Sequence, residues 1–212
     1  MKWEEFLNIA GELPFIETEI LLAGMSDAKA VKVQISRWQQ VGKIIQLKRG
    51  VYLLAAPYRK VKIFEPSLAS VLKKPSYLSL EKALEYYDLI PEAVPVYTSV
   101  TTKRPRRFTS AAGIFDYRHI KTALFWGYSS VTVNQQTGFI ASPEKALLDF
   151  FYLKGVKVSV EYLSELRLQN VSKIDLQRLF DYGRRFKKPG ILSVCAVIEK
   201  YIEARKEEEK TL

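Results

Sequence analysis

Basic and amide side chains recur at helical spacing in the segment 27–41, and these side-chain types bind nucleic acids. With successive residues about 100° apart around a helix, the apolar residues Val31, Ile35 and Trp38 fall on one side. Lysine ammonium groups bind phosphates, whereas arginine and glutamine can form paired hydrogen bonds with base edges in the major groove. The segment therefore predicts a helix that packs on one side and contacts DNA on the other. The outward side carries Lys29, Lys32, Val33, Ser36, Arg37 and Gln40.

The charge around this segment has one sign. Every charged residue between Ala28 and Phe64 is a lysine or an arginine, and the chain of 212 residues has a formal net charge of +10. A solvated surface normally mixes acidic and basic side chains. The acid-free window therefore predicts a polyanionic partner such as nucleic acid.

Two shorter helices are expected to hold the basic helix in place. Apolar residues at helical spacing predict a first helix over 3–10 and a second over 18–22. In the second helix Ile20 and Leu21 are expected to make the apolar contacts, and a tight turn follows at Ala23–Gly24.

The basic helix carries capping signals at both ends. Ser26 or Asp27 offers a side-chain oxygen for the amide groups of the first turn. Gly42 suits the position after the last turn, where a left-handed backbone conformation ends many helices. The predicted helix therefore runs from about Asp27 to Val41.

A β-hairpin is predicted directly after this helix. The β-rich runs 43–48 and 51–54 are joined through Arg49–Gly50, so Lys48 and Arg49 are expected at a tip that reaches the sugar–phosphate backbone or the adjacent minor groove. The order of elements predicts a winged helix–turn–helix over residues 1–65; the alternative is a small helical domain whose third helix has a basic, solvated side. The predicted DNA-binding residues are Lys29, Lys32, Ser36, Arg37, Gln40, Lys43, Lys48 and Arg49.

Residues 66–212 predict a second domain that is α+β, with an antiparallel or mixed sheet and a helical C-terminal part. It follows a basic connector over 56–66. Ser79 and the pair Ser142–Pro143 are expected to begin helices. The predicted strands are 96–100, 113–117, 130–133 and 138–141, with a turn over 134–137, and further helices are predicted around 159–168, 173–186 and 190–206.

A second basic cluster lies in the middle of this domain and consists of Lys103, Arg104, Arg106 and Arg107. One interpretation is an exposed, positively charged loop between two strands. The other is a second phosphate-contacting surface that extends the DNA footprint or binds RNA. The sequence leaves both interpretations open.

Few residues could do catalytic chemistry. His119 has no second histidine or cysteine nearby in the sequence, which is a poor start for a metal site. Asp116, Glu144 and Asp149 could form a nuclease-like acidic group, although Glu144 is also explained as a first-turn helix residue. No glycine-rich phosphate loop, nucleophile elbow or zinc-ligand spacing occurs. We therefore expect no enzymatic activity, no metal and no cofactor.

The remaining features point to a cytoplasmic protein. The single cysteine, Cys195, lies in an apolar run and predicts a buried structural thiol. No apolar run approaches the roughly 20 residues needed to cross a bilayer. Glu4 and Glu5 stand where a secretory signal carries positive charge, so no membrane partner is expected.

The winged-helix start and three short segments resemble the AbiEi family, the antitoxins and transcriptional regulators of bacterial abortive-infection (type IV) toxin–antitoxin systems. The segments are 49–52 (RGVY), 77–84 (YLSLEKAL) and 142–149 (SPEKALLD), and the resemblance covers nearly the whole chain. It implies a repressor that binds repeats of double-stranded DNA in the promoter of its own operon. It also implies antagonism of a nucleotidyltransferase-like toxin without a stable complex, with the antitoxin activity in residues 66–212.

A protein-interaction module is the alternative to this function. In that case the second domain binds a toxin or another partner, and the basic surface has no specific DNA recognition. The sequence does not predict the operator, the oligomeric state or the presence of a toxin gene.

Overall fold

The computed structural model describes residues 1–23, 27–155 and 158–210. Helices and two β-sheets make up an α+β structure, which confirms the α+β class that the sequence predicts. Within the described residues, no helix is both long and apolar enough to cross a membrane. The predicted turn residue Gly24 and the alternative cap Ser26 lie outside the described residues.

The N-terminal part contains three helices and a small antiparallel sheet with the strand order β1-β3-β2. The predicted helix over 3–10, the basic helix and the hairpin are all confirmed, and β1 is an additional short strand. Ile20 differs from the prediction, because its side chain is 68% exposed and only Leu21 of α2 is buried. The elements are α1 (Trp3–Ala10), β1 (Ile16–Glu17), α2 (Thr18–Leu21), α3 (Ala28–Gln40), β2 (Ile44–Lys48) and β3 (Val51–Leu54).

The remainder of the chain is built on a six-stranded mixed sheet with the order β6-β7-β5-β4-β9-β8. The pairs β4/β9 and β5/β7 are parallel and the other neighbours are antiparallel. Its elements are α4 (Glu65–Leu72), β4 (Ser76–Leu78), α5 (Leu80–Tyr86), β5 (Val96–Thr101), β6 (Arg106–Ser110), β7 (Gly113–His119), β8 (Tyr128–Val133), β9 (Gln136–Ala141), α6 (Pro143–Lys154), α7 (Val160–Glu165), α8 (Leu176–Arg185) and α9 (Pro189–Lys210).

Helix α6 begins as the sequence predicts. The Ser142 hydroxyl oxygen accepts a hydrogen bond from the Lys145 amide at 3.3 Å, and Pro143 occupies the first helical position, where no amide donor is needed. The helix ends at Gly155, whose backbone is left-handed with φ of 63°. Because eight of its residues are buried, α6 forms the centre of the larger core.

The two parts of the chain share a hydrophobic cluster. Leu47, Val51 and Leu53 of the hairpin pack with the residues 68–72 of α4 and with Phe115 of the large sheet, and a separate cluster joins the other side of the small sheet to α1, α2 and α3. The predicted domain boundary after residue 65 falls in the first turn of α4. Apolar packing nevertheless continues across this boundary.

Candidate nucleic-acid interface

The outer face of α3 is exposed and basic, as its spacing predicts. Val31, Ile35 and Trp38 are buried on the inner face, which confirms the predicted division of the helix. The outer face contains one exposed apolar side chain, Val33. Within the described part of the chain, its cations make no ion pair. The exposed residues of this face are Lys29, Lys32, Val33, Ser36, Arg37 and Gln40.

Both ends of α3 are closed by local hydrogen bonds. The Asp27 carboxylate accepts from the Ala30 amide at 3.3 Å, so Asp27 is the predicted N-cap. At the other end, Gly42 is left-handed with φ of 71°. Its amide donates to Gln39 and the Lys43 amide donates to Trp38, which satisfies two carbonyl groups of the last turn.

Aromatic packing fixes the inner face of α3 against α1. The Trp38 ring lies 4.5 Å from the Phe6 ring and 5.1 Å from the Trp3 ring, measured between centroids. Lys43 also belongs to this cluster, since its ammonium lies 4.7 Å from the centroid of Trp3. Its side chain is half-buried, in contrast to the exposed cations of the outer face.

The hairpin ends in a short turn that contacts α2. Arg49 and Gly50 separate Lys48 from Val51, which are paired across the strands. The Gly50 carbonyl accepts from the Thr18 amide at 2.9 Å and from the Thr18 hydroxyl at 3.3 Å. Arg49 is exposed at this turn, as predicted, and its side chain can contact a neighbouring anion.

Lys48 adjoins the turn, but its side chain is bound within the protein and does not extend freely from the tip as predicted. Its ammonium donates to the carbonyls of Val71 and Leu72 at 2.8 and 3.0 Å, at the C-terminal end of α4. The C-terminal end of a helix has unpaired carbonyl groups and a partial negative charge, and a lysine ammonium there donates to the first and balances the second. Burial, together with repulsion from Lys74, lowers the pKa of Lys48. The residue therefore joins the hairpin to the larger part of the protein.

The second basic cluster divides between two faces of the large sheet. Arg106 and Arg107 belong to β6, so they are not part of a loop as the first interpretation expected. Arg106 lies over the Phe108 ring at 4.5 Å, on the face that packs with the hairpin. Arg107 is paired in register with Asp116 and projects from the opposite face.

A basic surface connects Lys48 with this cluster, and the sequence analysis did not identify two of its members. Lys73 and Lys74 follow α4 directly. The Thr101 hydroxyl links this segment to Lys103, because it donates to the Pro75 carbonyl at 2.6 Å and accepts from the Lys103 amide at 3.2 Å. Burial lowers the pKa of Lys73, and repulsion from Arg106 and Lys103 adds to the effect. In the sequence, the two adjacent lysines before Pro75 are the feature from which this surface could have been predicted. We call Lys73, Lys74, Lys103 and Arg106 the junction surface.

The acidic residues considered for catalysis have structural partners. Asp116 accepts from Arg118 at 2.9 Å, and Glu144 accepts from the Ser142 hydroxyl and from the Asp175 amide at 2.8 and 2.9 Å. The described ranges contain no group of three histidine, cysteine, aspartate or glutamate residues that could hold a metal ion. These positions therefore offer no assembled acidic centre.

Asp149 lies in the core within a closed polar network. It forms an ion pair with Lys145, and both side chains are fully buried. Its other oxygen accepts from the Tyr77 and Ser79 hydroxyls at 3.0 and 2.9 Å. Ser79 occupies the N-cap position of α5, which confirms the predicted start of this helix, but its hydroxyl binds Asp149 and not an amide of the first turn. Burial raises the pKa of Asp149 and lowers that of Lys145, and their pairing opposes both shifts.

Two other predicted residues are placed by the structure. His119 is exposed, and its protonated Nδ1 donates a hydrogen bond to the Lys103 carbonyl at 3.2 Å. Cys195 is buried, which confirms the predicted environment of the thiol, and burial raises its pKa to about 11.

Comparison of the chain with protein-family models and with curated proteins found no match.

Proposed function

We propose that residues 1–65 form a winged helix–turn–helix that binds double-stranded DNA with sequence specificity. The observation that carries this proposal is the division of α3 into a buried apolar face and an exposed face with the Gln40 amide and three cations that have no ion pair among the described residues. The order of helices and strands, with a hairpin after the basic helix, supports the same assignment. A helix of this kind fits the major groove of B-form DNA.

The residues of the outer face of α3 have different proposed roles. Arg37 and Gln40 read base edges, because their side chains can form paired hydrogen bonds with guanine and adenine. Lys29 and Lys32 neutralise phosphates, and Ser36 adds a hydroxyl contact. Val33 would meet a thymine methyl group, and Arg49 would contact the backbone beside the groove.

The junction surface supplies a further set of phosphate contacts in this proposal. Lys73, Lys103 and Arg106 carry positive charge close enough for repulsion to affect the pKa of Lys73. Binding of a polyanion relieves the repulsion among clustered cations, and the phosphates that they neutralise release the counterions of the DNA. The contacts of this surface are therefore expected to raise affinity for all DNA sequences about equally.

We further propose that the protein represses its own operon and acts as the antitoxin of a toxin–antitoxin system. This part rests on the resemblance of residues 49–52, 77–84 and 142–149 to the AbiEi family. Residues 66–212 would carry the antitoxin activity, acting against a nucleotidyltransferase-like toxin without a stable complex. The last two segments contain Tyr77, Ser79, Lys145 and Asp149, which form the buried network. We propose that these four residues stabilise the fold of this domain.

DNA binding can be tested by fluorescence anisotropy with the DNA immediately upstream of the protein's own gene, against a scrambled duplex of equal length. Binding to both should weaken with salt, because phosphate contacts release counterions. A preference for the native sequence that persists as salt increases is expected. Equal binding to both duplexes at every salt concentration would show that only general polyanion attraction operates.

A protein-interaction function is favoured by one observation, the outer edge of β8. This edge strand contains no charged residue and no proline, and nearly all of its side chains are exposed, including Val133 at 41%. Edges of this kind pair readily with another strand. Stable co-purification with the product of the adjacent gene, together with failure to retain operator DNA, would favour this second candidate.

A further inference from the structure

A cavity of about 630 Å³ lies on the face of the large sheet that points away from the hairpin. Helices α5 and α6 cover part of this face and form one wall, and the segment before β5 forms the other. Cavities of roughly 300–1,000 Å³ are typical of small-molecule sites. None of the proposed DNA-contacting residues of α3 or of the junction surface lines it.

The floor of the cavity is a row of polar side chains on neighbouring strands. Thr98 of β5 is in register with Asp116 of β7, which is in register with Arg107 of β6. Residues paired in register project on the same face of a sheet. The opposite face of β7 carries Phe115 and Tyr117 in the cluster shared with the hairpin, so the row lies on the face that this cluster leaves open.

The walls of the cavity carry several apolar side chains beside the ion pair of Glu81 and Lys154. Leu80 begins α5, Phe150 and Leu153 belong to α6, and Val94 lies across from them. These side chains offer a surface that favours an aromatic or aliphatic body, since removing such a body from water is favourable in proportion to its apolar area.

The backbone at Leu80 is strained. Its φ is 59°, a left-handed conformation that side chains larger than glycine seldom adopt. Thr98 holds Ser79, the residue before Leu80, through two hydrogen bonds. The Ser79 carbonyl accepts from the Thr98 hydroxyl at 2.8 Å, and the Ser79 amide donates to the Thr98 carbonyl at 3.1 Å. Strain of this kind, maintained by its surroundings, is concentrated at binding and catalytic sites.

The cations of the cavity are not equivalent. Arg118 is paired with Asp116 at 2.9 Å, and Lys154 with Glu81 at 3.6 Å. Arg107 also lines the cavity, and across the described ranges it has neither an ion pair nor a hydrogen bond from its side chain. It is therefore the cation that is available to a ligand, and it lies beside an apolar wall.

We propose that this cavity binds a small organic anion with an apolar body, an aromatic or aliphatic acid whose charged group contacts Arg107. The apolar body packs against Leu80, Val94 and Leu153. The size of the cavity selects a small molecule, and the unpaired guanidinium selects a negative charge that can accept two hydrogen bonds. This site is independent of the proposed DNA interface.

The test is a fluorescence titration of the full chain with anilinonaphthalene sulfonate, a probe with an aromatic body and one anionic group. Arg107→Ala should weaken binding about tenfold, because one charge-assisted contact is lost. Arg107→Lys should retain more of the affinity than Arg107→Ala. The matched control is Arg104→Ala, an exposed arginine of the same cluster that does not line the cavity, and it should bind the probe like the unaltered protein.

Displacement identifies the class of ligand. Phenylbutyrate, a small aromatic acid, should displace the probe from the unaltered protein and not from Arg107→Ala at the same concentration. Equal affinity of the unaltered protein and Arg107→Ala would overturn the proposal, and so would an equal loss in Arg104→Ala. Displacement by an acidic peptide and not by phenylbutyrate would also overturn it, because the occupant would then be a protein segment.

Discussion

The outer face of α3 and the inner face of α6 both carry lysine side chains, and the two regions differ in what surrounds the charge. Lys29 and Lys32 are exposed, so water solvates them and an external anion can reach them. Lys145 is fully buried beside Asp149, with the rings of Trp126 and Phe186 at 4.9 and 5.0 Å from its ammonium. A buried charge is stable only with its partner, whereas an exposed one is available for binding.

Lys48 shows why the two regions must be distinguished in structure. It belongs to the acid-free basic window, like Lys29, yet its ammonium is bound to two carbonyls of α4. Composition counts these lysines alike. Their surroundings separate an exposed cation that a partner could reach from a cation that binds within the protein.

The largest effect is expected where the buried ion pair is broken. Asp149→Asn keeps the shape of the side chain and leaves the Lys145 ammonium without its compensating charge in the core. We expect a loss of about 3–5 kcal/mol in the free energy of unfolding, because a buried charge without a partner is strongly destabilising. Urea unfolding followed by circular dichroism measures this difference.

The control for this prediction is the double variant Lys145→Met with Asp149→Asn. Removing both charges should be less destabilising than Asp149→Asn alone, since no uncompensated ammonium remains. A double variant that is destabilised by the sum of the two single effects would show that the two charges do not act as a pair.

The sequence predicted elements whose burial is one-sided. Helix α3 has apolar residues on one face only, so its limits and its inner face follow from periodicity. Helix α4 is buried over seven of its eight residues, and a helix buried on all sides has no polar face to reveal its period. Strand β6 was missed because Arg106 and Arg107 interrupt the alternation expected of a strand.

The candidate site was predictable only as far as local patterns determine it. The exposed residues of α3 follow from spacing, and so does the left-handed Gly42 that ends the helix. The partners of Lys48 lie on α4, 23 and 24 residues away, and no local pattern specifies such a contact. The row of Thr98, Asp116 and Arg107 likewise depends on strand register, which sequence spacing does not determine.

Effects of intermediate size are expected when Arg37 and Lys48 are replaced separately, on DNA discrimination for Arg37 and on stability for Lys48. Arg37→Ala should lose about 1–3 kcal/mol of preference for a matched base, because paired contacts to a base edge are removed. Its free energy of unfolding should stay within about 0.5 kcal/mol, since the exposed Arg37 side chain has no partner in the part of the chain that the structure describes.

Lys48→Met should show the opposite pattern. Two carbonyls at the end of α4 lose their donor, so unfolding should become easier by about 1–2 kcal/mol, while discrimination between native and scrambled DNA is retained. Anisotropy and urea unfolding are measured on both variants. Unchanged discrimination by Arg37→Ala would mean that α3 does not read the operator through this residue.

The smallest effect is expected within β6, where two adjacent arginines project from opposite faces of one strand. Arg106 belongs to the junction surface, whereas Arg107 is in register with Asp116 in the cavity. If Arg106 neutralises one phosphate, Arg106→Ala should reduce the slope of log affinity against log salt by about 0.9 for every DNA sequence. Arg107→Ala should leave this slope unchanged, because its guanidinium points to the other side of the sheet. The pair serves as its own control, since both variants remove one arginine from the same strand and change net charge equally. Equal reductions in the slope would mean that affinity depends only on the total charge of the protein. A reduction in Arg106→Ala alone would mean that the junction surface lies along the bound duplex.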